Sequence, residues 1–279
     1  MKPNLYIVGR APDESPPFPA PSIAPLGRAR PLPAHLAALR DRLRKPAGDW
    51  GTLPFGDARV DACLPAGGLP LGQLHEIGAA GLEAETGVLT AGFVATLLAR
   101  LPARLPILWI APCDDLHPPG LLAYGLDPGR LLLVRPRDDA GTLGAMETAL
   151  RAGGLAAVVG EVGRLERTAS RRLQFACLGS GVTGFALRRW PHGHKRADRE
   201  ATAAVTRWQL VPAPSELDGR EPGPPRWRVV LTHARGGRPG AWILELPMKE
   251  VENGPTHPFR VVAELADHPA EPPLSARAG

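Results

Sequence analysis

Between Leu71 and Leu187, short apolar runs alternate with longer segments in which apolar residues recur every three or four positions. The runs predict strands at Leu74 to Ile77, Ile107 to Ala111, Leu131 to Val134, Ala156 to Val159 and Thr183 to Leu187. The longer segments predict helices near residues 85 to 100, 118 to 124, 140 to 152 and 167 to 179. In the last of these, Leu173, Ala176 and Cys177 share one face, while Arg167, Arg171 and Gln174 point elsewhere. Strands separated by helices define an α/β fold with a mostly parallel central sheet flanked by helices. Beyond residue 200 the helical spacing stops, and strands are predicted at Ala203 to Val211, Arg226 to Thr232 and Ala241 to Leu246. Arg235-Gly236-Gly237-Arg238-Pro239-Gly240 reads as a hairpin loop between the last two, so the core ends in antiparallel strands.

The flanks have a different texture. Pro12, Pro16, Pro17, Pro19, Pro21, Pro25, Pro31 and Pro33 lie close together, and such density opposes both helix and sheet pairing. Residues 1–33 are therefore read as a Pro-rich flexible leader. In residues 34–48, Leu36, Leu39 and Leu43 recur at helical spacing, which predicts a short amphipathic helix docked on the core or on a partner. The core is placed at 49–250 and a C-terminal extension and tail at 251–279, with 266–279 rich in Pro and Ala.

Composition narrows the classes. No apolar run reaches the ~18 to 20 residues of a membrane-spanning helix, since Thr90, Gly92, Thr96 and Arg100 interrupt the stretch from Val88 to Leu101. The start, Met1 to Arg10, has too short an apolar run for a signal peptide, so a soluble, cytoplasmic protein is expected. Cys63, Cys113 and Cys177 are far apart, which argues against a disulfide framework or a zinc site. His192 and His194 have no Cys or carboxylate cluster beside them, and no metal is assigned. The formal charge is +5, carried by 29 Arg and only 4 Lys. That bias has the look of a GC-rich genome, so an Arg cluster by itself says little about nucleic acid, although a positive field assists approach to a polyanion.

The stretch Arg59-Val60-Asp61-Ala62-Cys63-Leu64-Pro65-Ala66-Gly67-Gly68-Leu69-Pro70-Leu71-Gly72-Gln73-Leu74-His75-Glu76-Ile77-Gly78 resembles the segment leading into the nucleotide loop of RecA-family recombinases. The strand order that follows is also similar to the RecA core, over roughly residues 50 to 250. Three further motifs narrow this: Val158-Val159-Gly160-Glu161-Val162-Gly163-Arg164-Leu165, Thr168-Ala169-Ser170-Arg171-Arg172-Leu173-Gln174 and Gly236-Gly237-Arg238-Pro239-Gly240-Ala241-Trp242. Together they resemble ImuA-type proteins. The resemblance implies a RecA-like, DNA-damage-inducible protein that works with an inactive Y-family polymerase homologue and an error-prone C-family polymerase. The leader at residues 1–33 departs from the short starts of that family.

A phosphate-binding loop needs glycines for close backbone approach, a Lys for the phosphates and a hydroxyl for Mg²⁺. The corresponding segment here is Gly78-Ala79-Ala80-Gly81-Leu82-Glu83-Ala84-Glu85-Thr86, and no Lys lies between Lys45 and Lys195. Glu83 and Glu85 suit the helix dipole but would repel a triphosphate. Gly78 and Gly81 then read as a strand-to-helix turn that needs a flexible backbone. The strand from Ala156 runs into Gly160 where a metal-holding carboxylate is required, and Glu161 is a displaced neighbour. The other carboxylate position falls near Pro112 or Cys113, with Asp114 and Asp115 late, and these two read as N-caps of the next helix. The loop being degenerate, no catalysis and no cofactor are expected.

Two basic sets remain. Arg188, Arg189, Trp190, Lys195, Arg196 and Arg199 follow the last core strand and are DNA-binding candidates, through stacking on the ring and contacts to phosphates. Arg164, Arg167, Arg171 and Arg172 lie on and before a helix and are candidates for a protein interface. The reading is a non-catalytic adaptor in translesion synthesis, with RecA and single-stranded DNA as further partners. The alternatives are a divergent DNA-stimulated NTPase using Glu161 and a division-inhibitor-like checkpoint binding protein.

Overall fold

The computed structural model describes residues 4–7, 50–79, 83–189, 201–215, 217–218, 221–222, 224–246 and 259–265, with backbone alone at 4–7, 83–86, 217–218 and 221–222. The strands are β1 Asn4–Ile7, β2 Thr52–Leu53, β3 Leu69–Pro70, β4 Leu74–Ala79, β5 Ile107–Ile110, β6 Leu131–Arg135, β7 Ala157–Val162 and β8 Thr183–Arg188. They continue with β9 Thr206–Ala213, β10 Leu217–Asp218, β11 Glu221–Pro222, β12 Arg226–Ala234, β13 Gly240–Glu245 and β14 Arg260–Leu265. The α-helices are α1 Ala58–Asp61, α2 Glu83–Leu98, α3 Asp139–Ala152 and α4 Arg167–Ser180. The helix predicted at 118 to 124 is a 3-10 run, Pro118–Tyr124, that begins with two prolines and ends at a left-handed Gly125.

Ten strands form one sheet in the order β1-β6-β5-β7-β8-β4-β9-β12-β13-β14. Neighbours from β6 to β9 pair in parallel, whereas β9, β12, β13 and β14 pair antiparallel, so the expected α/β architecture with C-terminal antiparallel strands is the one observed. Two strands of this sheet lie outside the predicted set. Asn4–Ile7, inside the residues read as leader, pairs antiparallel with β6, and β14, inside the C-terminal extension, pairs with β13. Residues 34–48, the predicted amphipathic helix, lie outside the described residues.

The period-two alternation of the strands sorts side chains onto two faces. Val159, Phe185, Leu187 and Trp208 join α2 residues such as Phe93 and Leu97 in one core, with Trp109 and Trp242 fully buried there. Val158, Val162 and Ala186 face the other way, onto Met146 and Leu150 of α3 and Leu173 and Cys177 of α4. Burial on that second side pushes the Cys177 thiol up to about 12.

The motifs behind the resemblance are joints between these layers. The Cys63 carbonyl accepts from the Arg238 backbone N–H at 2.9 Å, and a Cβ on Gly237 would come within 2.2 Å of the same oxygen. The Gln174 amide oxygen of α4 accepts from the Leu74 N–H at 2.8 Å. At the core of β4, His75 donates from Nε2 to the Pro70 carbonyl at 2.8 Å, which leaves Nδ1 to accept from Thr206 Oγ1 at 2.7 Å. Trp208 Nε1 donates to that same hydroxyl at 2.8 Å. Complete burial depresses the His75 pKa to about 4, so the ring is neutral.

Candidate functional site

In open α/β sheets, ligands bind outside the carboxyl ends of the parallel strands. Here Glu76 within β4, Asp115 beyond β5, Glu161 near the end of β7, Arg188 at the end of β8 and Arg189 just after it turn their side chains on one another. Arg188 NH1 donates to Glu76 Oε1 at 3.0 Å, and its Nε and NH2 reach the Gly163 carbonyl at 3.2 and 3.0 Å. The other Glu76 oxygen accepts from Thr202 Oγ1 at 2.5 Å and from Arg207 Nε at 3.2 Å. The Arg188 and Glu76 side chains are 5% and 8% exposed.

A second cluster lies on β7 and β8. Glu161 Oε1 accepts from Trp109 Nε1 at 2.8 Å and Oε2 accepts from Arg189 NH1 at 2.6 Å. Arg189 also grips Asp115 with two nitrogens, at 3.2 and 2.7 Å. Burial raises the Glu161 pKa, against the pull of Arg189 and Trp109. The hydrogen bonds from Arg189 hold Asp115 below the usual carboxylate range. Each Glu161 oxygen is thus engaged by a protein donor, and the Arg189 side chain is 12% exposed.

Several expectations change on this geometry. Arg188 and Arg189, read as contacts to DNA phosphates, spend their donors on buried carboxylates and a carbonyl, which takes them out of the free cationic surface. Trp190, His192, His194, Lys195, Arg196 and Arg199 lie outside the described residues. Asp114 and Asp115 do not cap the next helical run, whose N-cap is His117 with no side-chain bond. Instead Asp114 pairs with Arg135 and Asp115 with Arg189. Glu161 stands inside β7, which continues to Val162, because the charge that ended the apolar run is neutralised by Arg189, the residue after β8.

The loop positions change as well. Gly78 is a β4 residue without positive φ, and a Cβ there would sit 3.6 Å from Arg188 Cβ, an ordinary contact, so it is no flexible turn. Gly81 lies outside the described residues, and Glu83, Glu85 and Thr86 fall in the first turns of α2. Gly160, where a catalytic carboxylate was sought, faces the buried Met146 side chain of α3. A Cβ there would fall 2.2 Å from Met146 Sδ, so the thioether would have to move aside.

Glu76, Trp109, Thr202 and Arg207 complete the network and were not singled out from sequence. The one local signal was a charged Glu76 within the Leu-His-Glu-Ile strand, since a buried strand tolerates a carboxylate only with partners. Asp139 plays a similar part, accepting from the Gly163 and Arg164 N–H groups at 3.0 and 2.8 Å. The Arg164, Arg167, Arg171 and Arg172 set is exposed along α4. Among the described residues, no group of three or more His, Cys, Asp or Glu is placed to hold a metal ion, and no helix is long and apolar enough to cross a membrane.

Fold and site together define an α/β protein with a ten-stranded mixed sheet, in which the crevice at the carboxyl side of the parallel strands carries its own ion pairs. No family model matches the chain. Two proteins named ImuA, from Caulobacter vibrioides strains NA1000 / CB15N and ATCC 19089 / CIP 103742 / CB 15, are each 46% identical to it over 224 residues, spanning 77% of this chain and 91% of theirs. The chain belongs to the ImuA family. Among solved structures, SulA from Pseudomonas aeruginosa is similar at a TM-score of 0.37 and 26% identity, over 41% of this chain and 96% of SulA.

Proposed function

We propose that this chain is a non-catalytic, RecA-like adaptor in DNA-damage-induced mutagenesis. In this reading it serves translesion DNA synthesis beside an inactive Y-family polymerase homologue and an error-prone C-family polymerase, with RecA and single-stranded DNA as further contacts. Membership of the ImuA family supports the mutagenesis context.

The observation that carries the non-catalytic part is the occupancy of the strand ends. A nucleotide needs free donors for its phosphates and a free carboxylate for the metal's water shell. Arg188 and Arg189 are committed to Glu76, Glu161 and Asp115, and both Glu161 oxygens are taken. Opening the crevice would strand buried charges, at a cost of about 3 to 5 kcal/mol for each of the two buried pairs, Arg188 with Glu76 and Arg189 with Glu161.

The test is binding of labelled ATP with Mg²⁺, with and without single-stranded DNA, alongside phosphate release. The expected result is neither binding nor turnover. DNA-stimulated hydrolysis that Glu161→Gln abolishes, in a variant that keeps its fold, would refute the adaptor reading in favour of a divergent motor.

A further inference from the structure

Helix α4 buries Leu173, Gln174, Ala176 and Cys177 and turns its opposite side to solvent. On that outer side Arg167, Arg171 and Phe175 follow one another at four-residue intervals, which stacks them in a line. Arg164 precedes the line and Arg172 lies beside it. Phe175 is 70% exposed.

The charge arrangement works against the helix. Its first turn holds no acidic residue, and its N-cap, Glu166, makes no side-chain capping bond. Arg167 therefore sits at the positive end of the helix dipole, and Arg167 and Arg171 repel each other at the i,i+4 spacing. Arg172 is paired with Glu147 and Arg164 with Glu166. Arg167 and Arg171 have no ion pair or side-chain hydrogen bond among the described residues. Two uncompensated guanidinium groups thus lead to an uncovered aromatic ring on a regular, well-packed helix.

We propose that the outer face of α4 is a docking surface for an acidic protein segment that carries an apolar side chain. Carboxylates of the segment pair with Arg167 and Arg171, and its apolar residue covers Phe175. Arg and Phe are enriched in interface cores, and Arg binds carboxylates with two parallel hydrogen bonds. Single-stranded DNA fits the face less well. Its binding sites combine a continuous cationic track with several stacking rings, whereas here Glu147 and Glu166 border the patch and one ring stands alone. The proposal rests on the adaptor reading, to which it supplies the surface that holds the polymerase-like partner.

The test uses the full chain, purified, with the purified polymerase-like partner, in a titration at two salt concentrations. Arg167→Glu/Arg171→Glu and Phe175→Ala are compared with wild type, each first checked for an unchanged thermal unfolding midpoint. Phe175→Ala, which removes an exposed ring, keeps the test decisive if the double charge reversal fails to fold. The expected result is a loss of about tenfold or more for the double reversal, with a weakened salt dependence, and a loss of about tenfold for Phe175→Ala with the salt dependence kept. Wild-type binding that neither variant weakens would overturn the surface and leave the adaptor reading standing. No binding by wild type would remove the adaptor reading, and the surface with it. Binding of a labelled oligo-dT by wild type, lost in the double reversal while partner binding persists, would overturn the proposal in favour of nucleic acid.

Discussion

Replacing Arg189 by Met keeps the stem that packs at the end of β8 and deletes the charge that Glu161 faces. Glu161 then retains one donor, Trp109 Nε1 at 2.8 Å, in a site where the residue is 2% exposed. Removing one partner of a buried pair costs about 3 to 5 kcal/mol when the other stays charged. For a chain of this size that corresponds to a fall in Tm of about 6 to 20 °C. The pH dependence identifies the cause. Burial already raises the Glu161 pKa above the ordinary carboxyl value, and the loss of Arg189 raises it further. A carboxyl whose folded pKa is raised binds a proton more tightly when folded. Its contribution is present below the unfolded pKa and is lost as pH rises through the folded value. The deficit of Arg189→Met relative to wild type therefore grows from pH 5.5 to pH 8. Asp115, half exposed, adds about 0 to 1 kcal/mol to the loss, and that part stays level across this window because its pKa is lowered. The assay is thermal and urea unfolding of wild type, Arg189→Met and Arg189→Met/Glu161→Gln at both pH values. The double variant should recover most of the loss and flatten its pH dependence. A single variant within about 1 kcal/mol of wild type at pH 8, or one with equal deficits at both pH values, would refute the reasoning.

Gly160→Ala should destabilise by about 1 to 3 kcal/mol in urea unfolding, because the buried Met146 thioether, 2.2 Å from the new Cβ, must leave its packed position; a neutral result would mean that Met146 finds another rotamer at no cost. Gly78→Ala should lie within about 0.5 kcal/mol of wild type, since the backbone is ordinary strand and the nearest atom is 3.6 Å away; a large loss would restore the flexible-turn reading. His75, with its pKa depressed from 6.5 to about 4, binds its proton more tightly in the unfolded chain, so its contribution is lost as pH falls. Between pH 7 and pH 5 wild type should lose about 2 kcal/mol through this group, and His75→Gln should show a shallower pH dependence over that interval; an unchanged slope would place the acid sensitivity elsewhere.

Much of the fold was legible because the signals that specify it are local. Strands β4 to β8 and the three longer helices fall within a few residues of the hydrophobic runs and helical spacings that predicted them. Turn chemistry placed the hairpin between β12 and β13 equally well, since Gly-rich loops act through their own backbone. β1 and β14 carried too little pattern of their own. Each is completed by a neighbour, β6 or β13, that is distant in sequence or separated by a segment without strand pattern.

The candidate site divides along the same line. That residues 46 to 194 contain no Lys, and that position 160 is a glycine rather than a carboxylate, can be read directly from the chain. Which arginines are free cannot. Arg188 and Arg189 belong to a basic run as conspicuous as the one holding Arg167 and Arg171, yet the first pair is consumed by carboxylates and the second is not. The carboxylates Glu76, Asp115 and Glu161 stand within β4, beyond β5 and near the end of β7, 28 to 112 residues away in sequence, and only sheet order brings them within hydrogen-bond distance. The sequence by itself thus determined the element types and the absence of lysine from residues 46 to 194, because propensity and residue identity are properties of short segments. The tertiary structure alone decided which charges are buried and paired and which face solvent, because charge neutralisation depends on distances that no local pattern encodes.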